Sequence, residues 1–120
     1  MARISIVGSD LVVHLSALEK LGAVHGDVRI ALSSISSCRV SHEPWTEVRG
    51  IRAPGTGIPG VIALGARRGG VHDFTAVYRK VPAVVVELTG AKFDRLVISQ
   101  EDADEAAASI NQALERTGHN

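Results

Sequence analysis

Four arginines, Arg49, Arg52, Arg67 and Arg68, bracket the segment G-I-R-A-P-G-T-G-I-P-G at residues 50–60. Guanidinium forks match the geometry of carboxylates and phosphates, so a chain that folds back between them offers an anion-binding site. The competing reading is a set of solvated arginines, or arginines paired with the acidic C-terminal helix. Gly55, Gly57 and Gly60 have the outline of a phosphate-cradling loop. No Lys-Ser/Thr follows and no strand-to-helix context surrounds them, which argues against a nucleotide loop. Four glycines and two prolines in this stretch predict a long shaped loop with positive φ at glycine. Loops of that size on a β scaffold are where binding usually sits.

Trp45, the only tryptophan, follows Pro44 just before this segment. It is a candidate anchor for a protein partner, since tryptophan is enriched at interface hot spots, or a plug for one end of the fold. The histidines at 14, 25, 42, 72 and 119 show no metal-ligand spacing, and no metal or cofactor site is expected. His72 and Asp73 are neighbours on a strand and point to opposite faces, which is poor geometry for an acid–base dyad. Cys38 stands alone, with neither a C-x-x-C partner nor a G-x-S-x-G elbow elsewhere to suggest nucleophilic catalysis. The residues favour a non-catalytic protein.

The chain has 120 residues, 45% apolar and 22% charged, which predicts one soluble domain over 1–120 with its own core. Aromatics are only 3%, so the core is aliphatic around Phe74, Phe93 and Tyr78. No apolar run is long enough for a membrane span. With no signal-like N-terminus and one unpaired cysteine, a cytoplasmic location is expected. The charges cancel overall but not locally. Residues 39–80 carry seven basic side chains against three acidic ones, and residues 81–120 carry three against seven. The expectation is that these blocks face each other within the fold or across a homo-oligomer. A neutral chain with few aromatics is not expected to bind nucleic acid.

Period-two alternation marks strands around Ile4–Ile6, Leu11–Leu15, Val28–Leu32, Cys38–His42, Val61–Ala66, Val71–Tyr78, Val84–Leu88 and Phe93–Ser99. Ser16-Ala-Leu-Glu19 reads as a capping box opening a helix of one or two turns that ends at Gly22. Pro44–Glu47 reads as a short helical turn, and Gly69-Gly70 as a hairpin turn. The clearest helix runs from Glu101 to Arg116. Ser99 is the expected cap, with Asp102 returning the bond, carboxylates fill the first turn, an alanine stripe faces the sheet, and Gly118 is the stop. Val12, Val85 and Val97 fall, depending on register, on the parity opposite their strands' main apolar set; if outward, they offer an apolar strip suited to a second copy.

Strands followed by one terminal helix resemble the pleckstrin-homology-like superfold. Residues 82–106, P-A-V-V-V-E-L-T-G-A-K-F-D-R-L-V-I-S-Q-E-D-A-D-E-A, are similar to the last hairpin and helix start of bacterial PH-like domains. Residues 44–65, P-W-T-E-V-R-G-I-R-A-P-G-T-G-I-P-G-V-I-A-L-G, look like a family of small actinobacterial proteins. The resemblance implies a mainly β fold with a C-terminal helix: a PH-like barrel of about seven antiparallel strands in two near-orthogonal sheets, capped by that helix. The basic first hairpin of phosphoinositide-binding members is absent, with Arg3 the only basic group in residues 1–15. The functional expectation is a binding or assembly module for a protein partner or for itself, most simply as a dimer. Anionic lipid is the lesser partner, reached through Arg49, Arg52, Arg67 and Arg68. The alternative is a small enzyme or small-ligand carrier using residues 50–60 as a lid.

Overall fold

The computed structural model describes residues 1–116; Gly118 and His119 lie outside them. Strands β1 (Arg3–Val7), β2 (Asp10–His14) and β3 (Val28–Ala31) form an antiparallel sheet in the order β1-β2-β3. The β1–β2 hairpin turns at Gly8, whose φ is 62°. The remaining strands are β4 (Ile35–Ser41), β5 (Ile51–Ile58), β6 (Ile62–Arg68), β7 (Asp73–Tyr78), β8 (Ala83–Leu88) and β9 (Arg95–Ser99). They form a second sheet in the order β4-β8-β9-β7-β6-β5. The protein is thus mainly β with a C-terminal helix, built on two sheets that do not close into a barrel.

Three expectations are corrected. The strands number nine, because residues 50–60 are not a loop: Ile51–Ile58 form a strand that pairs with β6 on either side of a register shift between Arg52 and Gly55. Nor are all the strands antiparallel, since β7 and β9 run parallel, in register from Asp73 with Arg95 to Ala76 with Ile98. The turn at Gly69–Gly70 does join β6 to β7 as an antiparallel hairpin.

The main core lies between the two sheets. Leu11, Val13, Val28 and Ile30 meet Leu64, Phe74, Val84, Val86, Leu96 and Ile98. Helix α1 (Ala17–Ala23) opens with the expected capping box: Glu19 N–H donates to Ser16 Oγ, and Ser16 N–H to Glu19 Oε1, at 3.1 and 2.9 Å. Helix α2 (Ala103–Arg116) lays Ala103, Ala107, Ile110, Ala113 and Leu114 on the core. Ser99 does not cap it. Instead Ser99 is the last residue of β9, where Oγ accepts from Tyr78 N–H and donates to Val81 C=O, tying down the β7–β8 connection.

Glu19 is 4% exposed and accepts a 2.5 Å hydrogen bond from Tyr78 Oη. Burial pulls its pKa upward, but the Ser16 amide and the Tyr78 hydroxyl outweigh burial and hold it below the ordinary value. A depressed carboxylate stabilises the fold above its unfolded-state pKa and ceases to do so as pH falls through the folded value. Tyr78→Phe is therefore expected to cost about 2 kcal/mol at pH 7, the scale of a hydrogen bond to a charged group. Urea titrations at pH 7 and at pH 3.5 check this. The gap between wild type and variant narrows at the lower pH, and an equal gap at both would refute a charge-assisted bond.

Candidate functional site

The side of the second sheet away from the core carries a second apolar cluster of Ala63, Val77, Ala83, Val85 and Val97. Trp45 and Val48 roof it. Trp45 sits on a 3-10 turn, Pro44–Glu47, that Pro44 pre-shapes at its first position. Its indole Nε1–H donates to Arg79 C=O at 2.6 Å, which fixes the ring. Val85 and Val97 do take the parity opposite the main core, yet each is 0% exposed, and Val12 is only 5% exposed. The strip suited to a second copy is therefore not outward, and Trp45 and Val48 cover Val85 and Val97.

Charged side chains surround this roof. Arg39 forks onto Glu47 at 3.0 and 2.7 Å, and Arg95 bridges Glu47 and Glu87 at 3.3 and 3.0 Å. The Arg39 hydrogen bonds hold Glu47 below the ordinary carboxylate range, against the opposing pull of burial. The acidic turn of α2 takes no part. Among the described residues, Glu101, Asp102, Asp104 and Glu105 pair with no arginine, and the ion pair that joins a basic side chain of residues 39–80 to an acidic one of residues 81–120 is Arg39 with Glu87, at 3.4 Å.

The four bracketing arginines have separate fates. Arg49 donates from Nε and Nη2 to the two oxygens of Asp73, at 2.7 and 2.8 Å, and that hydrogen-bonded pairing raises its own pKa. Asp73 is 0% exposed, so Arg49 is a structural counter-ion. Arg67 donates to the carbonyls of Arg49 and Gly50 at 2.7 and 3.0 Å, bracing the chain as it enters β5. Arg52 reaches forward to Gly57 C=O at 3.2 Å. Arg68 is exposed at the end of β6 and makes no side-chain hydrogen bond among the described residues.

Arg52 and Arg67 nevertheless border one groove with Trp45. It holds about 460 Å³, and its apolar lining includes Ile51, Ile58 and Ile62. Ile51 and Ile58 are 70% and 53% exposed, large aliphatic side chains left in water. Gly57 leaves the floor bare: a β-carbon there would come within 3.3 Å of Arg52 Nη1. The groove is open, apolar at its floor and cationic at its rim, with no carboxylate in its lining. Arg49 is turned away from it by Asp73.

Two other places were candidates for chemistry. Ser5 Oγ lies 2.6 Å from His14 Nε2, and His14 Nδ1 lies 3.9 Å from Asp27 Oδ2. The sequence reading missed this trio because its members come from separate strands and loops. Ser5 lies on the face of β1 opposite Ile4 and Ile6, which pack on the core. His14 and Asp27 are 42% and 39% exposed, and Asp27 is already held by the Leu15 N–H at 2.8 Å. Water competes for every bond in such a setting, so the trio fastens the sheet and lacks the enclosure that nucleophilic catalysis draws on. Burial pushes the Cys38 thiol up to about 11, which keeps it protonated and inert at neutral pH.

Among the described residues, no three His, Cys, Asp or Glu side chains are placed to hold a metal ion, and no helix is long and apolar enough to cross a membrane. Compared with family models, curated proteins and solved structures, the chain matches none.

Proposed function

We propose that this protein is a non-catalytic binding module that captures a protein partner in the groove beside Trp45. The observation that carries the reading is the exposure of Ile51 and Ile58 on an edge strand, beside a fixed tryptophan and a cationic rim without acid. Buried aromatic anchors ringed by arginine are the usual makeup of interface hot spots. An anionic headgroup is the poorer occupant, because Asp73 neutralises Arg49 and backbone carbonyls hold Arg67. The small-enzyme alternative loses its lid, since residues 51–58 are a paired strand. The bacterial PH-like resemblance stays part of the proposal. A strand-rich chain ending in a core-packed helix supports it, and the parallel β7–β9 pair departs from it.

Random peptides displayed on phage and panned against the protein test the reading, with Trp45 emission as the reporter. Selected peptides are expected to shift that emission, and Ile51→Glu/Ile58→Glu is expected to bind none of them. Peptides that leave the emission unchanged, or bind the variant equally, would overturn it.

Self-association is a second reading with its own surface. Leu18, Leu21 and Val24, on and just after α1, are 81%, 76% and 64% exposed. A dimer by light scattering that Leu18→Glu/Leu21→Glu returns to monomer supports it; a wild-type monomer at every concentration refutes it.

A further inference from the structure

We infer that the partner enters as an extended segment of alternating apolar and acidic residues that adds to β5 as a further strand. This rests on the groove being the binding face. β5 is the terminal strand of the six-stranded sheet and has only β6 as a neighbour. An edge strand presents a row of main-chain donors and acceptors that another strand can take up.

The β1 and β4 edges are attended by side chains of α2 and its approach. At β1, Ile4 N–H donates to Gln100 Oε1 at 3.0 Å. At β4, the opposite end of the larger sheet, Asn111 Nδ2 donates to Cys38 C=O at 3.3 Å, and α2 packs on the strand. On β5, Thr56 Oγ1 donates to Gly22 C=O at 2.8 Å where α1 packs against the strand, and Gly57 C=O is held by the strand's own Arg52, at 3.2 Å. The Arg52 bond is exchangeable. An incoming peptide N–H can take the Gly57 oxygen if a carboxylate takes the guanidinium, and the new ion pair is the stronger contact. Arg68 lies on the neighbouring strand, opposite Ile51 in the β5–β6 register. Ile51 and Ile58 supply apolar contacts near the two ends of β5.

Charge also selects against a second copy in this place. Two β5 strands side by side would bring Arg52, Arg67 and Arg68 of both chains together, and like charges across an interface are costly. Pro54 has no N–H to donate, and the register shifts between Arg52 and Gly55. Both features break up long, indiscriminate pairing and leave Gly55–Ile58 as the receptive stretch. The occupant that fits is therefore a short acidic strand from another protein.

The probe is an octapeptide of alternating valine and glutamate, read by Trp45 emission and by hydrogen exchange of the amides of residues 55–58. The expected result is saturable binding that protects those amides. N-methylation of one alternate set of peptide amides weakens binding about tenfold or more, the scale of one or two lost backbone hydrogen bonds, while methylation of the other set changes it little. Replacing glutamate by glutamine in the peptide weakens binding to the wild type but not to Arg52→Ala/Arg68→Ala. Equal tolerance of both methylated sets overturns strand addition and leaves the groove as binding face. Equal binding of the glutamine peptide to the wild type overturns the acidic preference. If this peptide fails while panned peptides move Trp45, the inference alone is lost; if neither moves it, the groove reading is lost as well. A dimer that persists in Leu18→Glu/Leu21→Glu and is lost in Ile51→Glu/Ile58→Glu would assign the edge to a second copy.

Discussion

Arg49→Met is expected to lose about 3–5 kcal/mol of stability, the cost of removing one partner from a buried ion pair. The reason is the asymmetry of the pair. Asp73 has a side-chain exposure of 0%, whereas Arg49 keeps 34% of its side chain in solvent. Without the guanidinium both Asp73 oxygens lose their donors, at 2.7 and 2.8 Å, and the charge has no route to water. Asp73→Asn is milder, because Arg49 reaches solvent. In Arg49→Met/Asp73→Leu most of the loss returns, since no buried charge remains. Urea unfolding of the three variants checks this. A loss below about 1 kcal/mol in Arg49→Met, the scale of a surface pair, would mean that Asp73 is served by other donors.

Gly55→Ala comes next, with an expected cost of about 3 kcal/mol, the upper range for a residue forced into a disallowed backbone region. Gly55 has φ 143°, and a β-carbon there would sit 2.2 Å from Leu64 C=O. That oxygen belongs to β6 and cannot swing away as a side chain does. Because β5 is terminal in the sheet, the damage stays local. Exchange protection is expected to fall in residues 51–58 and along β6, and to hold in β8 and β9. Binding of the valine–glutamate peptide is expected to vanish with it. Gly60→Ala is the control: φ is 76° with nothing within 4 Å, so only the milder backbone cost of about 1 kcal/mol applies. If Gly55→Ala leaves β5 amides as protected as in the wild type, the tight β5–β6 approach is not needed for pairing.

The segment around Gly55 also measures how far local reading reaches. Its glycines and prolines read as a loop because strand interiors disfavour both. β6 overrides that preference, since its backbone approaches too closely for a side chain at Gly55, and the bulge absorbs Pro54. Conversely, the alternation of Val84, Val86 and Leu88 identified β8 and its core face from the sequence alone. So did the capping box of α1 and the alanine stripe of α2, because each signal lies within a few residues of its own partner.

Of the candidate site, residue types were legible and their roles were not. Trp45, Arg52 and Arg67 came from the sequence, and they do border one groove. Arg49 reads as a candidate anion ligand in the sequence because its partner, Asp73, lies 24 residues away on β7. Val85 and Val97 alternate correctly, but alternation only divides a strand into two faces, and here the turn carrying Trp45 covers the second face too. Local chemistry thus determined which segments extend, coil and cap. The order of the strands, the parallel β7–β9 pair, the burial of Asp73 and the open edge of β5 depend on contacts between distant segments, whose free energies no single stretch of this chain contains.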